Sequence, residues 1–192
     1  MFKKYCFVIL ILFFGITLNF FQNNMSMPKT QNPVQKQVLV SPLVQASTQS
    51  AVLGSQTKTS GCVASGGLPD SSCTPGAVFS DAVRGQICAK GYSVTVRNVP
   101  QSEKDAVYKE YGIYSHTTGE YEVDHLISLE LGGSNDISNL WPEAANPTPG
   151  FHEKDLVENY LHSRVCSGVI SLQEAQKEIS TNWLSVYKQM PK

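Results

Sequence analysis

Four side chains in the C-terminal half of the sequence are of the types that hydrolytic sites use. Asp124 and His125 are adjacent, Asn139 follows a Gly-Gly pair, and His152 comes just after a cluster of prolines and glycine. Imidazole has an ordinary pKa near neutrality and can act as a general base at physiological pH. A carboxylate and an imidazole can also bind a divalent cation together. These residue types therefore allow acid–base chemistry beside a metal ion.

Two short strands and a helix are predicted to position these residues. The segments GEYEVDH and ISNLWPE predict the strands of a hairpin, and the Gly-Gly pair between them predicts a wide loop. The following helix has Leu156, Tyr160 and Leu161 at helical spacing and ends at the next glycine. Because neighbouring side chains in a strand point to opposite faces, Asp124 and His125 can point to the same side only where the strand ends or bends.

This order of a strand with Asp-His, a loop, a strand with Asn-Leu and a helix that begins near a histidine resembles the HNH endonuclease family. The resemblance covers about residues 120–166, and its most specific part is the phrase DHLISLELGGSNDISNLWPE. The exported, cysteine-containing flanks look like a small bacterial branch of that family. The resemblance implies an α+β fold with a ββα-metal (HNH, His-Me finger) core, additional helices and a Cys- and Gly-rich N-terminal subregion.

The resemblance further implies a metal-dependent endonuclease that hydrolyses phosphodiester bonds of DNA or RNA, with DNA preferred as the partner. His125 would be the general base, and Asp124 and His152 would hold one divalent ion. Mg²⁺ is the first expectation for that ion, with Mn²⁺, Ni²⁺ or Zn²⁺ as alternatives. Asn139 would pin the loop and orient the base, and Asn135 is an alternative for that role.

Other features of the helix and its flanks keep a second class of function open. Lys154, one turn into the helix, is either a phosphate contact or a solvated charge. Some family members have a second helix ligand where this chain has Leu156, and others have C-x-x-C zinc pairs, which this sequence lacks. The alternative is a non-catalytic ββα module with a binding or structural role in the cell envelope. A toxin nuclease ranks last, since the chain shows no delivery domain.

The N-terminal part of the sequence predicts export. Two lysines precede an apolar run over residues 5–21, which is long for a signal-peptide core and is not followed by a small-x-small cleavage site. An uncleaved anchor is therefore favoured over a cleaved signal, and the lysines place the rest of the chain outside the cytoplasm. We predict a signal peptide or membrane anchor over 1–24, a disordered linker over 25–60 and the nuclease-like domain over 61–192. The protein would be membrane-anchored or secreted.

Four cysteines in the predicted domain indicate disulfides. An even number of cysteines in an exported domain favours pairing, and three pairings are possible. We expect Cys62 to pair locally with Cys73, and Cys88 with Cys166 to tie the two halves of the domain. Such a nuclease would mature only outside the cytoplasm. Four free thiols are the alternative.

The charge distribution argues against a protein that binds nucleic acid through general phosphate attraction. All sixteen acidic residues lie after residue 60, together with only ten of the fifteen basic residues. Proteins that depend on such attraction are normally basic. The acidic balance does not exclude a nuclease, because a bound divalent cation can be the largest local charge in its own site.

The remaining elements are predicted from local patterns. GYSVTVRNV predicts a strand, Ser102 predicts the N-cap of a short helix that ends near Gly112, and Ser171 with Glu174 predicts the capping box of a final helix. One face of that final helix and the two tryptophans are predicted to be core: Leu172, Ala175, Ile179, Trp183, Val186 and Trp141. His116 and His162 are predicted to be solvated.

Overall fold

The structure, a computed structural model, describes residues 53–192. Within this range the chain has a mixed α+β architecture with a two-stranded antiparallel sheet. The elements in chain order are α1 (Arg84–Ile87), α2 (Tyr92–Val96), α3 (Gln101–Glu110), β1 (Tyr121–His125), β2 (Leu140–Ala144), α4 (Phe151–Cys166) and α5 (Leu172–Gln189). The predicted signal or anchor over 1–24 and most of the predicted linker lie outside the described residues.

The hairpin formed by β1 and β2 confirms the predicted strand, wide loop and returning strand. Asp124 pairs with Trp141, and His125 pairs with Leu140. The loop between the strands contains two short 3₁₀ turns, over Leu129–Leu131 and Ile137–Asn139. His125 is the last residue of β1, so the strand ends where the sequence required it to end or bend.

Helices α4 and α5 pack against each other and form most of the hydrophobic core. Their fully buried apolar side chains are Val157, Leu161, Val165, Ala175, Ile179 and Trp183. The Trp183 indole Nε1–H donates to the Gly67 carbonyl at 2.9 Å, which ties α5 to the N-terminal loops. Ser171 caps α5 by accepting from the Glu174 N–H at 3.1 Å, as predicted from the sequence. The predicted core face of α5 is confirmed, with Val186 partly buried.

The segment GYSVTVRNV, predicted to be a strand, contains helix α2 instead. Gly91 has a φ of 81°, which favours glycine, and it begins the helix. The Thr95 hydroxyl donates to the Tyr92 carbonyl at 2.7 Å and closes a helical turn. Val94 is 79% exposed, so the alternation of valines does not mark a half-buried strand face. The sequence pattern was too short to distinguish the two structures.

Two details of the predicted helices are also corrected. The N-cap of α3 is Pro100 and not Ser102, which lies inside the first turn. Leu156 is 52% exposed, because the buried face of α4 runs through Lys154 and Val157 instead. The charged Lys154 is therefore on the buried face of α4, where the helical pattern had placed the apolar Leu156.

Both predicted disulfides are present. Cys62 pairs with Cys73, and Cys88 pairs with Cys166 across a sequence separation of 78 residues. In the chain-entropy account, a closed loop of that length stabilises the fold by about 4 kcal/mol.

Residues at the end of the predicted linker contact the folded domain. The Gln56 amide donates to Glu110 at 3.1 Å, and Lys58 forms an ion pair with Asp70 at 2.9 Å. Leu53 packs against the hydrophobic core. The packed structure therefore begins before residue 61. No helix in residues 53–192 combines the length and the apolar character needed to cross a bilayer.

Candidate active site

His125 is held at the end of β1 by the side chain of Asn135. Its Nε2 lies 3.2 Å from Asn135 Oδ1, which also accepts from the Asn98 N–H at 3.1 Å. The Asn135 amide nitrogen donates to the Val96 carbonyl at 2.8 Å. These contacts fix Oδ1 as the acceptor, so Nε2 of His125 carries the proton and donates it. The lone pair of the imidazole is therefore on Nδ1.

The environment of His125 keeps its imidazole neutral. Burial, aided by the positive charges of Arg97 and Lys154, lowers the pKa of His125 to about 4 against the opposing effects of Asp124 and Asn135. His125 is only 2% exposed. Among the described residues Nδ1 has no hydrogen-bond partner, so it is the ring nitrogen left to accept a proton.

The fully buried Asn139 pins the loop that follows β1. Its Oδ1 accepts from the N–H groups of Ala77 at 3.3 Å and Ile127 at 3.0 Å. Its Nδ2 donates to the carbonyls of Ile127 at 3.0 Å and Ser134 at 2.8 Å. Asn139 thus holds the loop, whereas the contact to the imidazole is made by Asn135. The two roles that the sequence assigned to one asparagine are divided between two.

Lys154 lies beneath β1, where it is fully buried. Its ammonium donates to Asp124 Oδ2 at 2.6 Å, to the His125 carbonyl at 2.8 Å and to Glu158 one turn along α4. Burial alone would raise the pKa of Asp124, but the Lys154 ammonium holds it below its ordinary value. A phosphate contact by Lys154, predicted from the sequence, would require this ion-pair network to open. The expectation of an accessible lysine is corrected.

Glu143 is the buried partner of this network that sequence reasoning did not single out. It is 1% exposed, and neither of its carboxyl oxygens has a hydrogen-bond partner among the described residues. Burial raises the pKa of Glu143 to about 10, and the nearby Asp124 carboxylate adds to the effect. Glu143 is therefore protonated at neutral pH and can donate its proton to Asp124. The sequence signal for Glu143 was the segment WPE, which places an acidic residue at an inward-facing position of a strand. A carboxyl group buried at such a position must be neutralised.

We expect Glu143→Gln to reduce the loss of stability at alkaline pH. Native Glu143 keeps a proton that the unfolded chain releases above its ordinary pKa of 4.5, so the free energy of unfolding falls as pH rises towards about 10. The glutamine has the same shape but does not titrate, so the variant should gain stability relative to wild type between about pH 5 and 9. Urea unfolding across this range measures the difference, with the exposed Glu174→Gln as a matched control. Parallel pH curves for wild type and Glu143→Gln would contradict the assignment.

Other acidic side chains lie near Asp124 and His152, the residues predicted to hold a divalent ion. The Asp124 side chain remains 17% exposed, and His152 is exposed at the start of α4. Both act on the pKa of Asp155, which burial and the Asp124 charge raise above its ordinary value. Burial and Asp124 likewise raise the pKa of Glu122. This excess of negative charge is what a cation would relieve.

A separate Cys-His-Cys group could hold a metal ion. Cys88, His162 and Cys166 place their ligand atoms within 4.8 Å of one another, and no other group of three such residues does so in the described part of the chain. The prediction that His162 is solvated is wrong, because its Nε2 lies 3.1 Å from the Ile87 carbonyl and 3.4 Å from Cys166 Sγ. His116 is exposed as expected and stacks on Tyr108. The two cysteines form a disulfide, so their sulfurs are not free ligands in this state.

Comparisons of the chain with protein-family models, with curated proteins and with solved structures found no match.

Proposed function

We propose that the domain is an HNH-type, ββα-metal endonuclease that hydrolyses phosphodiester bonds of DNA, with His125 as the general base. One observation carries the proposal: the imidazole is neutral, and Asn135 anchors it through Nε2, which leaves Nδ1 without a hydrogen-bond partner among the described residues. A neutral base that is held in one orientation with one unpartnered nitrogen lone pair is what activation of a water molecule requires. The element order β1, loop, β2 and α4 is consistent with the proposal.

In the proposed reaction, His125 Nδ1 takes a proton from the water that attacks phosphorus. The imidazolium formed in this step keeps its Nε2–H bond to Asn135, and the Asp124 carboxylate beside it stabilises the new positive charge. Asp124 and His152 would hold a divalent ion, which would supply charge neutralisation at the phosphate and at the leaving oxygen. Asn139 keeps the loop closed behind the base.

Lys154 acts in this scheme as a positioning residue. Its ammonium keeps Asp124 ionised and fixes the backbone of His125 through the carbonyl. Glu143, protonated at neutral pH, can donate to the same carboxylate from the other strand. The result is a carboxylate of fixed charge and orientation beside the base.

The proposal is tested by plasmid nicking with the purified full-length protein. We expect cleavage that depends on Mg²⁺ or Mn²⁺ and that stops when a chelator removes the metal. Because the pKa of His125 is lowered to about 4, the base is neutral across the physiological range, and the rate should fall on the acid side only as pH approaches that value. An acid limb near the ordinary histidine pKa would contradict the assigned environment. Absence of any divalent-dependent cleavage would contradict the function.

A non-catalytic module of the cell envelope is the second candidate, and two observations favour it. His125 is nearly enclosed, and the Asp124 carboxylate already has a buried counter-ion in Lys154. Stoichiometric metal binding without hydrolysis of single- or double-stranded DNA or RNA would favour this module over the nuclease.

A further inference from the structure

Cys88, His162 and Cys166 bring three metal-ligating side chains together where α1 meets the end of α4. Cys88 is the C-cap of α1, and Cys166 is the last residue of α4. His162 lies one turn before Cys166, on the same face of that helix. We propose that reduction of the Cys88–Cys166 disulfide converts this junction into a binding site for a thiophilic divalent metal such as Zn²⁺, with two thiolates and the His162 imidazole as ligands.

The spacing of the three residues suits tetrahedral coordination. Zinc holds each thiolate at about 2.3 Å, so two sulfurs in a tetrahedral shell lie about 3.8 Å apart. The Cα atoms of Cys88 and Cys166 are 5.7 Å apart, and rotation of the two side chains can provide this sulfur separation without movement of the helices. His162 Nε2 already lies 3.4 Å from Cys166 Sγ. Water would complete the shell, since all three residues are half-buried.

Contacts other than the disulfide keep the junction assembled after reduction. The Arg84 guanidinium of α1 donates to the Cys166 carbonyl at 2.7 Å. Ile87 and Val165, which precede the two cysteines in sequence, are both buried in the hydrophobic core. These contacts do not use either sulfur. The thiolates would therefore remain close enough to share one ion.

The conversion needs a reductant, and a small dithiol or a phosphine can supply it. Two electrons and two protons cleave the S–S bond to two thiols while the reductant is oxidised to its disulfide or phosphine oxide. Metal binding then releases the two thiol protons to solvent. The proton on His162 Nε2 moves to Nδ1, and Nε2 exchanges its hydrogen bond to the Ile87 carbonyl for the metal. One tightly bound ion thus replaces one covalent bond at the same place.

The second disulfide provides a matched control within the chain. Cys62 and Cys73 also become thiols on reduction, but no His, Cys, Asp or Glu completes a group of three around them in the described residues. The double variant Cys62→Ser/Cys73→Ser should therefore keep the metal site. The double variant Cys88→Ser/Cys166→Ser should lose it.

The test is titration of the phosphine-reduced full-length protein with Co²⁺, followed by displacement with Zn²⁺. We expect one equivalent of Co²⁺ to give thiolate-to-cobalt charge-transfer absorbance, and the oxidised protein to give none. His162→Ala should weaken Co²⁺ binding by at least about tenfold, because it removes a ligand outright where loss of outer-shell support alone has effects of that size. His116→Ala should leave binding unchanged. Zn²⁺ should raise the melting temperature of the reduced wild type.

Three results would overturn the site. The first is equal charge-transfer absorbance in the reduced Cys88→Ser/Cys166→Ser variant. The second is unchanged affinity in His162→Ala. The third is no charge-transfer absorbance in reduced wild type, whether or not circular dichroism shows that it stays folded. None of these results depends on nuclease activity. The metal-site proposal can therefore be contradicted while the nuclease proposal is retained, and the nuclease proposal can be contradicted while the metal site is retained.

Discussion

Replacement of His125 by alanine is expected to lower the rate of plasmid cleavage by about 100- to 10,000-fold, the usual contribution of a general base. The loss follows from geometry, since Nδ1 of this residue has the free lone pair and Asn135 fixes the ring through Nε2. Single-turnover nicking under saturating Mg²⁺ measures the effect on the chemical step. The rate should not recover with added metal.

His116→Ala is the matched control for this variant. His116 is exposed and stacks on Tyr108, outside the proposed site. Its removal should leave the cleavage rate within about twofold, an effect of less than 0.5 kcal/mol. Circular dichroism and thermal unfolding should show that His125→Ala is folded. Cleavage by folded His125→Ala at the wild-type rate would sink the proposed mechanism.

Lys154→Met is expected to destabilise the domain by about 3–5 kcal/mol, the usual cost of removing one partner from a buried ion pair. Methionine fills a similar volume, so the loss reports charge and not a cavity. The variant leaves the Asp124 and Glu158 carboxylates buried without their ammonium partner. Because burial raises the pKa of Glu158 to about 7, this residue becomes neutral in acid, and the cost should shrink as pH falls below that value.

Urea unfolding at neutral and at mildly acidic pH measures this effect. The exposed Lys177→Met, on α5, is the matched control and should change the free energy of unfolding by less than about 0.5 kcal/mol. A loss below about 1 kcal/mol in Lys154→Met would mean that the network contributes little to the fold. A loss independent of pH would mean that Glu158 is not part of it.

Local sequence patterns predicted the parts of this fold that depend on near neighbours. The hairpin strands, the Ser171 cap and the core face of α5 each follow from spacing or from one side-chain contact. The disulfide pairing was also predicted from the sequence, because one pair is local in sequence and the other joins the two halves of the domain. The prediction of a strand at the position of α2 was wrong, because five residues with alternating valines satisfy the period of a strand and also fit a single helical turn.

The parts of the candidate site that the sequence did not reveal depend on contacts between distant segments. Lys154 reads as a solvated helix charge, yet the strand above it supplies Asp124 and a backbone carbonyl that allow its burial. Glu143 is neutral because it is buried and because the Asp124 carboxylate of the other strand lies nearby. His162 meets Cys88 only after the 73 intervening residues fold together. Residue spacing along the chain contains none of this information.

The roles of the two asparagines also depend on contacts that the sequence did not reveal, although these residues are close together in the chain. The resemblance to HNH nucleases implied that Asn139 would both pin the loop and orient the base. Asn139 holds the loop through backbone groups, while Asn135 reaches the imidazole because its amide is itself fixed by the Val96 carbonyl on α2. The element that was predicted as a strand therefore supports the orientation of His125.

The Cys88–Cys166 disulfide closes a covalent ring that contains every residue of the candidate site. A single cut by a protease anywhere between these two cysteines, for example in the exposed Asn146–Thr148 segment, would leave both fragments attached to each other. The nicked protein would run as one chain on a non-reducing gel and as two on a reducing gel. The domain can therefore lose a peptide bond within this ring without losing a piece.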